Sequence, residues 1–180
     1  MKNTFSLLAV TAAVSLATSA FAASESAEVK STMENKKNGG YESTRTSDQT
    51  MRDGTKVSGE SKVDVDIDSD GKVDKTVNNE TIKDPKGMLN KKKDMNETEY
   101  EEKANGGYKQ TTTSKHTDAD GTNVTLVTTT DVDVDSSGKV TSVAKTEKTV
   151  DPKGLMNKET TTDKTKTVNG KVVDRTKKVN

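Results

Sequence analysis

Residues 64–73 read DVDIDSDGKV, and residues 131–140, 67 positions further along, read DVDVDSSGKV. Each stretch begins with acidic residues that alternate with apolar ones, and each reaches a Gly a few residues later. Alternation with a period of two places the apolar side chains on one face of an extended strand and the acidic side chains on the other. A Gly that follows Asp or Ser is typical of a hairpin turn. This block therefore predicts a strand and a turn, and it does so twice.

Other short motifs recur at the same spacing. They are NGGY at 38–41 and 105–108, DGT at 53–55 and 120–122, and DPKG at 84–87 and 151–154. Several ungapped matches at one offset indicate an internal duplication. We predict a first β repeat at 23–90, a second at 91–157, and a partial third repeat at 158–180 that closes the sheet.

The segments between these turn motifs are rich in Thr and Val, which favour strands. The predicted strands are 26–36, 41–51, 55–68, 72–83, 88–103, 108–118, 122–135, 139–150, 155–168 and 171–178. The segments 25–37 and 88–104 are rich in Glu, Lys and Asn, and a helix or disorder is the alternative there. The fold class is all-β: an antiparallel β-meander built from two tandem 67-residue repeats. It forms either a thin curled sheet or open barrel, or an elongated sheet.

The first 22 residues have the pattern of a secretory signal peptide. Lys2 is followed by an apolar run from Phe5 to Leu16, which is shorter than the roughly 20 residues that a membrane span requires. Ala20 and Ala22 provide the small residues of a cleavage site, and the mature chain is expected to start near Ala23. We expect an exported protein, periplasmic or extracellular, with no integral membrane span after signal removal.

Composition limits the core of this protein. The sequence has no Cys and no Trp, and both of its Phe residues lie in the leader. Without Lys2 the chain carries 28 basic residues (29 − 1) against 29 acidic ones, and this balance gives no argument for nucleic acid binding. So few large apolar side chains predict a thin core and place the chain near the composition of disordered proteins.

Asp66, Asp68 and Asp70, followed by Gly71, match the first half of a calcium-binding loop. The match then ends, because Val77 occupies the position where a bidentate Glu is needed. The ordinary interpretation is an acidic strand face that ends in a turn, with lysines such as Lys72 offsetting the repulsion between carboxylates. The alternative is a loosely held calcium ion at the three aspartates.

His116 is the single histidine, and nothing in the sequence orients Ser114 or Thr117 beside it as a nucleophile. We predict no catalytic residue and no cofactor apart from the possible calcium.

Together these features predict an exported, non-enzymatic β-repeat protein with a structural or binding role at the cell envelope. Its partner would be an unknown protein or envelope component. One alternative is a calcium-responsive exported protein that uses the Asp-rich turn. The other is a largely disordered, soluble envelope protein that folds on a partner.

Overall fold

The computed structural model describes residues 24–87, 90–154 and 157–180, so the predicted leader lies outside the described residues. Ten strands follow one another, and the prediction of an all-β antiparallel meander is confirmed. They are β1 (Ser24–Asn35), β2 (Tyr41–Met51), β3 (Lys56–Ile67), β4 (Val73–Asp84), β5 (Lys92–Glu102), β6 (Tyr108–Thr117), β7 (Asn123–Val134), β8 (Val140–Asp151), β9 (Glu159–Val168) and β10 (Lys171–Val179).

All ten strands belong to one open sheet, in which each strand pairs with its neighbours in sequence. The strand order is β1 to β10 without a crossover, so β1 and β10 are the two edges. The two segments for which a helix was the alternative are the strands β1 and β5. No helix in the described ranges is long and apolar enough to cross a membrane.

The predicted strand bounds hold closely, except where β5 and β9 begin. The sequence predicts starts at residues 88 and 155, whereas these strands begin at Lys92 and Glu159. The connections at 85–91 and 152–158 precede these strands, and residues 88–89 and 155–156 within them lie outside the described residues. In the first of them the side-chain amide of Asn90 donates a hydrogen bond to the Lys86 carbonyl oxygen, at 3.3 Å.

The buried apolar side chains lie on one face of the sheet, as the alternation predicts, whereas Ile82, Met95 and Val127 lie on the opposite face. Val63 pairs with Val77 across β3 and β4, and Ile67 pairs with Val73. Val65 and Val77 are 9% and 8% exposed, and they are the only buried apolar side chains among the described residues. Burying one Val contributes about 1.5–3 kcal/mol. A core this thin leaves much of the stability to the backbone ladder and to cross-strand side-chain pairs.

Hydroxyl pairs supply part of this cross-strand contact. The side-chain oxygens of Thr98 and Thr112 lie 3.2 Å apart across β5 and β6, and those of Ser142 and Thr167 lie 2.6 Å apart across β8 and β9. The opposite face carries ion pairs, such as Lys93 with Glu80 at 2.9 Å. The sheet is therefore held mainly by polar contacts between neighbouring strands.

Six of the turns share one design. Residues 36–40, 51–55, 68–72, 103–107, 118–122 and 135–139 each close with two backbone hydrogen bonds, as in a type I turn followed by a bulge. The positive φ falls on the Gly alone, for example 87° at Gly39. In four of these turns the Asn or Asp before the Gly instead accepts a backbone hydrogen bond, as Asn38 Oδ1 does from Gly40 N–H at 3.0 Å. In the turns 68–72 and 135–139 the acceptor is the first residue, Asp68 or Asp135. These side chains therefore stabilise the turns as acceptors rather than through a positive φ of their own.

The last hairpin is different. Asn169 and Gly170 form a two-residue turn in which both residues have positive φ, at 47° and 78°. Every residue of β10 is exposed, including Val172, Val173 and Val179. The sheet thus ends on a fully exposed edge strand.

Candidate functional site

Lys36 lies in the turn between β1 and β2 and reaches the acidic end of β3. Its Nζ donates to the carboxylates of Asp64 and Asp66, the latter at 2.8 Å. Asn38, from the same turn, donates a hydrogen bond to Asp66 Oδ1 at 3.1 Å. A cation and an amide from one turn therefore bind two neighbouring carboxylates of the strand that pairs with β2.

The same arrangement occurs 67 residues later. Lys103 lies in the turn between β5 and β6, and its Nζ donates to Asp131 and, at 2.8 Å, to Asp133 on β7. Asn105 donates to Asp133 Oδ1 at 3.4 Å. We call the two sets the lysine clamps: Lys36, Asn38, Asp64 and Asp66 in one, and Lys103, Asn105, Asp131 and Asp133 in the other.

The lysine clamps offset the repulsion between neighbouring carboxylates along each acidic strand. Hydrogen bonds from Lys36 and Asn38 lower the pKa of Asp66, and those from Lys103 and Asn105 lower the pKa of Asp133. Neither Lys36 nor Lys103 was identified from the sequence as a site residue. Their signal was present, because both lysines stand two residues before an Asn-Gly-Gly motif at the duplication offset.

The three aspartates of the predicted calcium loop each have a protein partner, and Asp68 and Asp70 share Lys72. Asp66 binds the clamp residues Lys36 and Asn38. Asp68 Oδ1 accepts the backbone N–H groups of Asp70 and Lys72, at 2.9 and 2.8 Å, and so organises the turn.

Lys72 Nζ lies 3.8 Å from Asp68 and 3.7 Å from Asp70, as the sequence suggested for an offsetting lysine. Within the described residues no group of three His, Cys, Asp or Glu side chains has the geometry to hold a metal ion. Calcium binding at these aspartates stays a prediction.

His116 lies on β6 opposite Asp94 of β5. Its Nδ1 lies 2.5 Å from Asp94 Oδ1, and its Nε2 lies 3.3 Å from Asp118 Oδ1. Lys92 binds the same Asp118 oxygen at 2.8 Å. Hydrogen bonds to Asp94 and then to Asp118 raise the pKa of His116, since both favour the protonated ring.

The surroundings of His116 are an open depression of about 120 Å³, lined in part by Ser114, Val124 and Leu126. Both ring nitrogens face carboxylates, so the ring is arranged to hold protons rather than to take one from a neighbouring hydroxyl. The two acidic partners of His116 were not predicted from the sequence. Their approach depends on strand pairing, which a single sequence does not display.

Comparisons of this chain with protein-family models, with curated proteins and with solved structures found no match.

Proposed function

We propose that this chain is an exported, non-enzymatic β-repeat protein with a structural or binding role at the cell envelope. The observation that carries this proposal is the pair of lysine clamps. Lys36 and Lys103 sit in equivalent turns and bind equivalent aspartates, so the charged groups that recur are the ones that join turn to strand. Duplicated contacts that join turn to strand are expected of a protein whose function depends on the shape of its sheet.

The form of the sheet supports a role other than catalysis. Acid–base catalysts depend on apolar surroundings that shift their pKa values, and Val65 and Val77 are the only buried apolar side chains in the described part of the chain. The most organised titratable group is His116 with Asp94 and Asp118, and it lies in an open depression. A long sheet with two faces and two edges offers extended surface for binding instead.

Export is supported by the way the leader fits the fold. Cleavage near Ala23 would remove the apolar leader and leave β1, which begins at Ser24, intact. The proposed repeat boundaries also fall between strands, because the first unit contains β1 to β4, the second contains β5 to β8, and the third contains β9 and β10. The proposed units are 23–90, 91–157 and a partial third at 158–180.

Cell fractionation combined with mass determination of the N-terminus tests the proposal. We expect the protein outside the cytoplasm, with its first residue near Ala23. An Ala20→Lys variant should accumulate as the uncleaved precursor, since a small residue is needed there. The matched control is Ser26→Lys, beyond the cleavage site, which should be processed normally. An uncleaved wild-type chain in the cytoplasm would contradict export, and catalytic turnover lost in His116→Ala would contradict a non-enzymatic role.

A further inference from the structure

We propose that copies of this protein assemble end to end, with β10 of one copy pairing antiparallel to β1 of the next. The inference deepens the proposed structural role by naming a partner, which is a second copy of this chain. It starts from the two edges of the sheet, since β1 pairs with β2 and β10 with β9. The outer sides of both edge strands therefore present backbone N–H and C=O groups that a further strand can bind.

The backbone hydrogen bonds of the two edges show which residues face outward. At the end of the β1–β2 pair, the Lys36 N–H donates a hydrogen bond to the Gly40 carbonyl oxygen. At the end of the β9–β10 pair, the backbones of Asn180 and Thr160 exchange two hydrogen bonds. In an antiparallel pair, hydrogen-bonded and non-hydrogen-bonded positions alternate. Even-numbered residues of β1, and of β10 from Asp174 onward, therefore bond inward, and odd-numbered residues direct their backbone groups outward. Antiparallel pairing between copies requires these odd positions to lie opposite one another.

The charges of the two edges are complementary. Over residues 26–35, strand β1 carries two acidic residues and one basic residue: Glu28, Glu34 and Lys30. Strand β10 carries four basic residues and one acidic residue: Lys171, Arg175, Lys177, Lys178 and Asp174. An acidic edge and a basic edge attract each other, whereas two copies of the same edge repel. Charge therefore favours a head-to-tail contact between unlike edges.

One register places the outward-facing backbone positions of the two strands opposite one another and also pairs residues of opposite charge. It places Glu28 opposite Lys178 and Ser31 opposite Arg175, so that odd positions meet odd positions. Beyond the bulge between Val172 and Asp174, the same register places Glu34 opposite Lys171. Two pairs of opposite charge result, and no like charges are paired.

The apolar side chains also fit this register. It places Met33 opposite Val172, and these side chains are 64% and 63% exposed in the single chain. Both lie on the sheet face that carries Val65, because Met33 pairs with Ser43 and Val172 pairs with Thr167 on that face. The contact would therefore extend the apolar face from one copy to the next.

Neighbouring registers are less favourable. A shift of two residues in one direction pairs Lys30 with Lys178 and Glu34 with Asp174, which are like charges. The opposite shift keeps a single pair of opposite charge, Lys30 with Asp174. Like charges directly opposite each other destabilise a sheet, so the charge pattern selects the register with two favourable pairs.

The test is a charge exchange, followed by sedimentation velocity over a range of protein concentrations. We expect the purified wild-type protein to form concentration-dependent oligomers that weaken as salt is added. Glu28→Lys and Lys178→Glu should each weaken association by roughly tenfold, since each places like charges opposite one another. The double variant restores opposite charges and should recover association. The matched control is Lys164→Glu on β9, one strand in from the edge, which should associate as the wild type does.

A cross-link tests the register itself. Because the chain has no cysteine, the pair Lys30→Cys and Thr176→Cys introduces the only thiols. The proposed register places these residues at a non-hydrogen-bonded position, where cross-strand disulfides fit. Oxidation should give a ladder of multimers from the double variant. Lys30→Cys alone should form no covalent dimer under denaturing conditions, and a disulfide dimer of this variant would indicate pairing between two β1 edges and overturn the proposal.

A wild-type protein that remains monomeric at every concentration and at low salt would also overturn the proposal, as would equal association of all the charge variants. Circular dichroism of each variant establishes that the sheet is intact, so that loss of association is not loss of folding. These results are independent of the leader. A folded, exported monomer would end the assembly inference and leave the proposed function standing, whereas an uncleaved cytoplasmic chain would end the proposed function.

Discussion

The α-carbon of Gly40 approaches the carbonyl oxygen of Val65 so closely that a β-carbon on it would lie 2.1 Å from that oxygen. Gly107 and Val132 repeat this contact, also at 2.1 Å. Each Gly ends a lysine-clamp turn and immediately precedes the strand that pairs with the acidic one. The turn can therefore bring its lysine over the aspartates only if this position has no side chain.

We expect Gly40→Ala and Gly107→Ala to lower the free energy of unfolding by about 1–3 kcal/mol each, because the strand backbone must move to admit the methyl group. Chemical denaturation monitored by circular dichroism measures the loss. Gly138→Asn is the control. Gly138 has a φ of 79°, which suits Asn, and no atom lies within 4 Å of a β-carbon built there. This substitution should therefore lower the free energy of unfolding by less than about 1 kcal/mol. Equal losses at Gly40 and Gly138 would show that the close approach is not what matters.

Removal of the clamp lysine should raise the pKa of the aspartate that it binds. In Lys36→Met the hydrophobic stem is retained but the charge is lost, so the pKa of Asp66 should rise toward its ordinary value. Carboxyl chemical shifts followed by NMR during an acid titration measure this. Lys103→Met should do the same to Asp133.

Lys37→Met is the matched control for the clamp. Lys37 is the exposed neighbour of Lys36 in the same turn, and its replacement should leave the pKa of Asp66 low. If Lys37→Met and Lys36→Met moved Asp66 equally, a general field of positive charge would replace the specific contact as the explanation.

His116 gives the stability a pH dependence of known sign. Asp94 and Asp118 raise the pKa of His116 above 6.5 in the folded chain. The stabilisation is therefore fully present below pH 6.5, and it is lost as the pH rises through the folded-state pKa. His116→Gln should remove this part of the pH dependence.

As His116 is the single histidine, its ring signals in NMR report the pKa without ambiguity. A measured value at or below 6.5 would show that the two carboxylates do not hold the proton. Asp94→Asn serves as the companion variant, since it removes the first partner and should lower the pKa of His116.

The Asp68 side chain should matter to the turn rather than to a metal ion. Asp68→Ala removes the acceptor of two backbone hydrogen bonds, and we expect a loss of about 1 kcal/mol, with or without calcium. Asp68→Asn keeps an acceptor oxygen and should lose less. A gain in wild-type stability on adding calcium that Asp68→Ala abolishes would instead establish the calcium site.

Hydrogen exchange should follow position in the sheet. The amide of Val65, on an inner strand with a buried side chain, should exchange slowly, whereas that of Val179 on the exposed edge strand should exchange quickly in the monomer. Mass spectrometry of peptides from β3 and β10 measures the difference. Equally fast exchange in both strands would mean that the isolated chain does not hold the sheet.

Much of the strand pattern was readable from local sequence. Alternation over Asp64 to Asp68 predicts which side chains share a face, and Gly71 marks the turn that follows, because both signals act within a few residues. The starts of β5 and β9 were misplaced, since the Asp-Pro-Lys-Gly segments do not show how many residues the connection uses.

The polar contacts between strands were harder to predict from the sequence. Lys36 and Asp64 are 28 residues apart, and their contact depends on the register of β2 against β3. Asp94 and His116 meet only because β5 and β6 pair in one particular register. Register is a long-range property, so a single sequence shows the lysine and the histidine without showing their partners.

The amino-acid sequence by itself determined the strands, the turn positions and the side of each strand that carries its valines, because periodicity and turn chemistry are local. Only the tertiary structure decided that the ten strands stay in one open sheet, that a lysine from one turn holds two aspartates of the strand beyond its neighbour, and that an acidic and a basic edge end the sheet. These features follow from strand order and register, which are set by the summed energies of many weak cross-strand pairs rather than by any one segment.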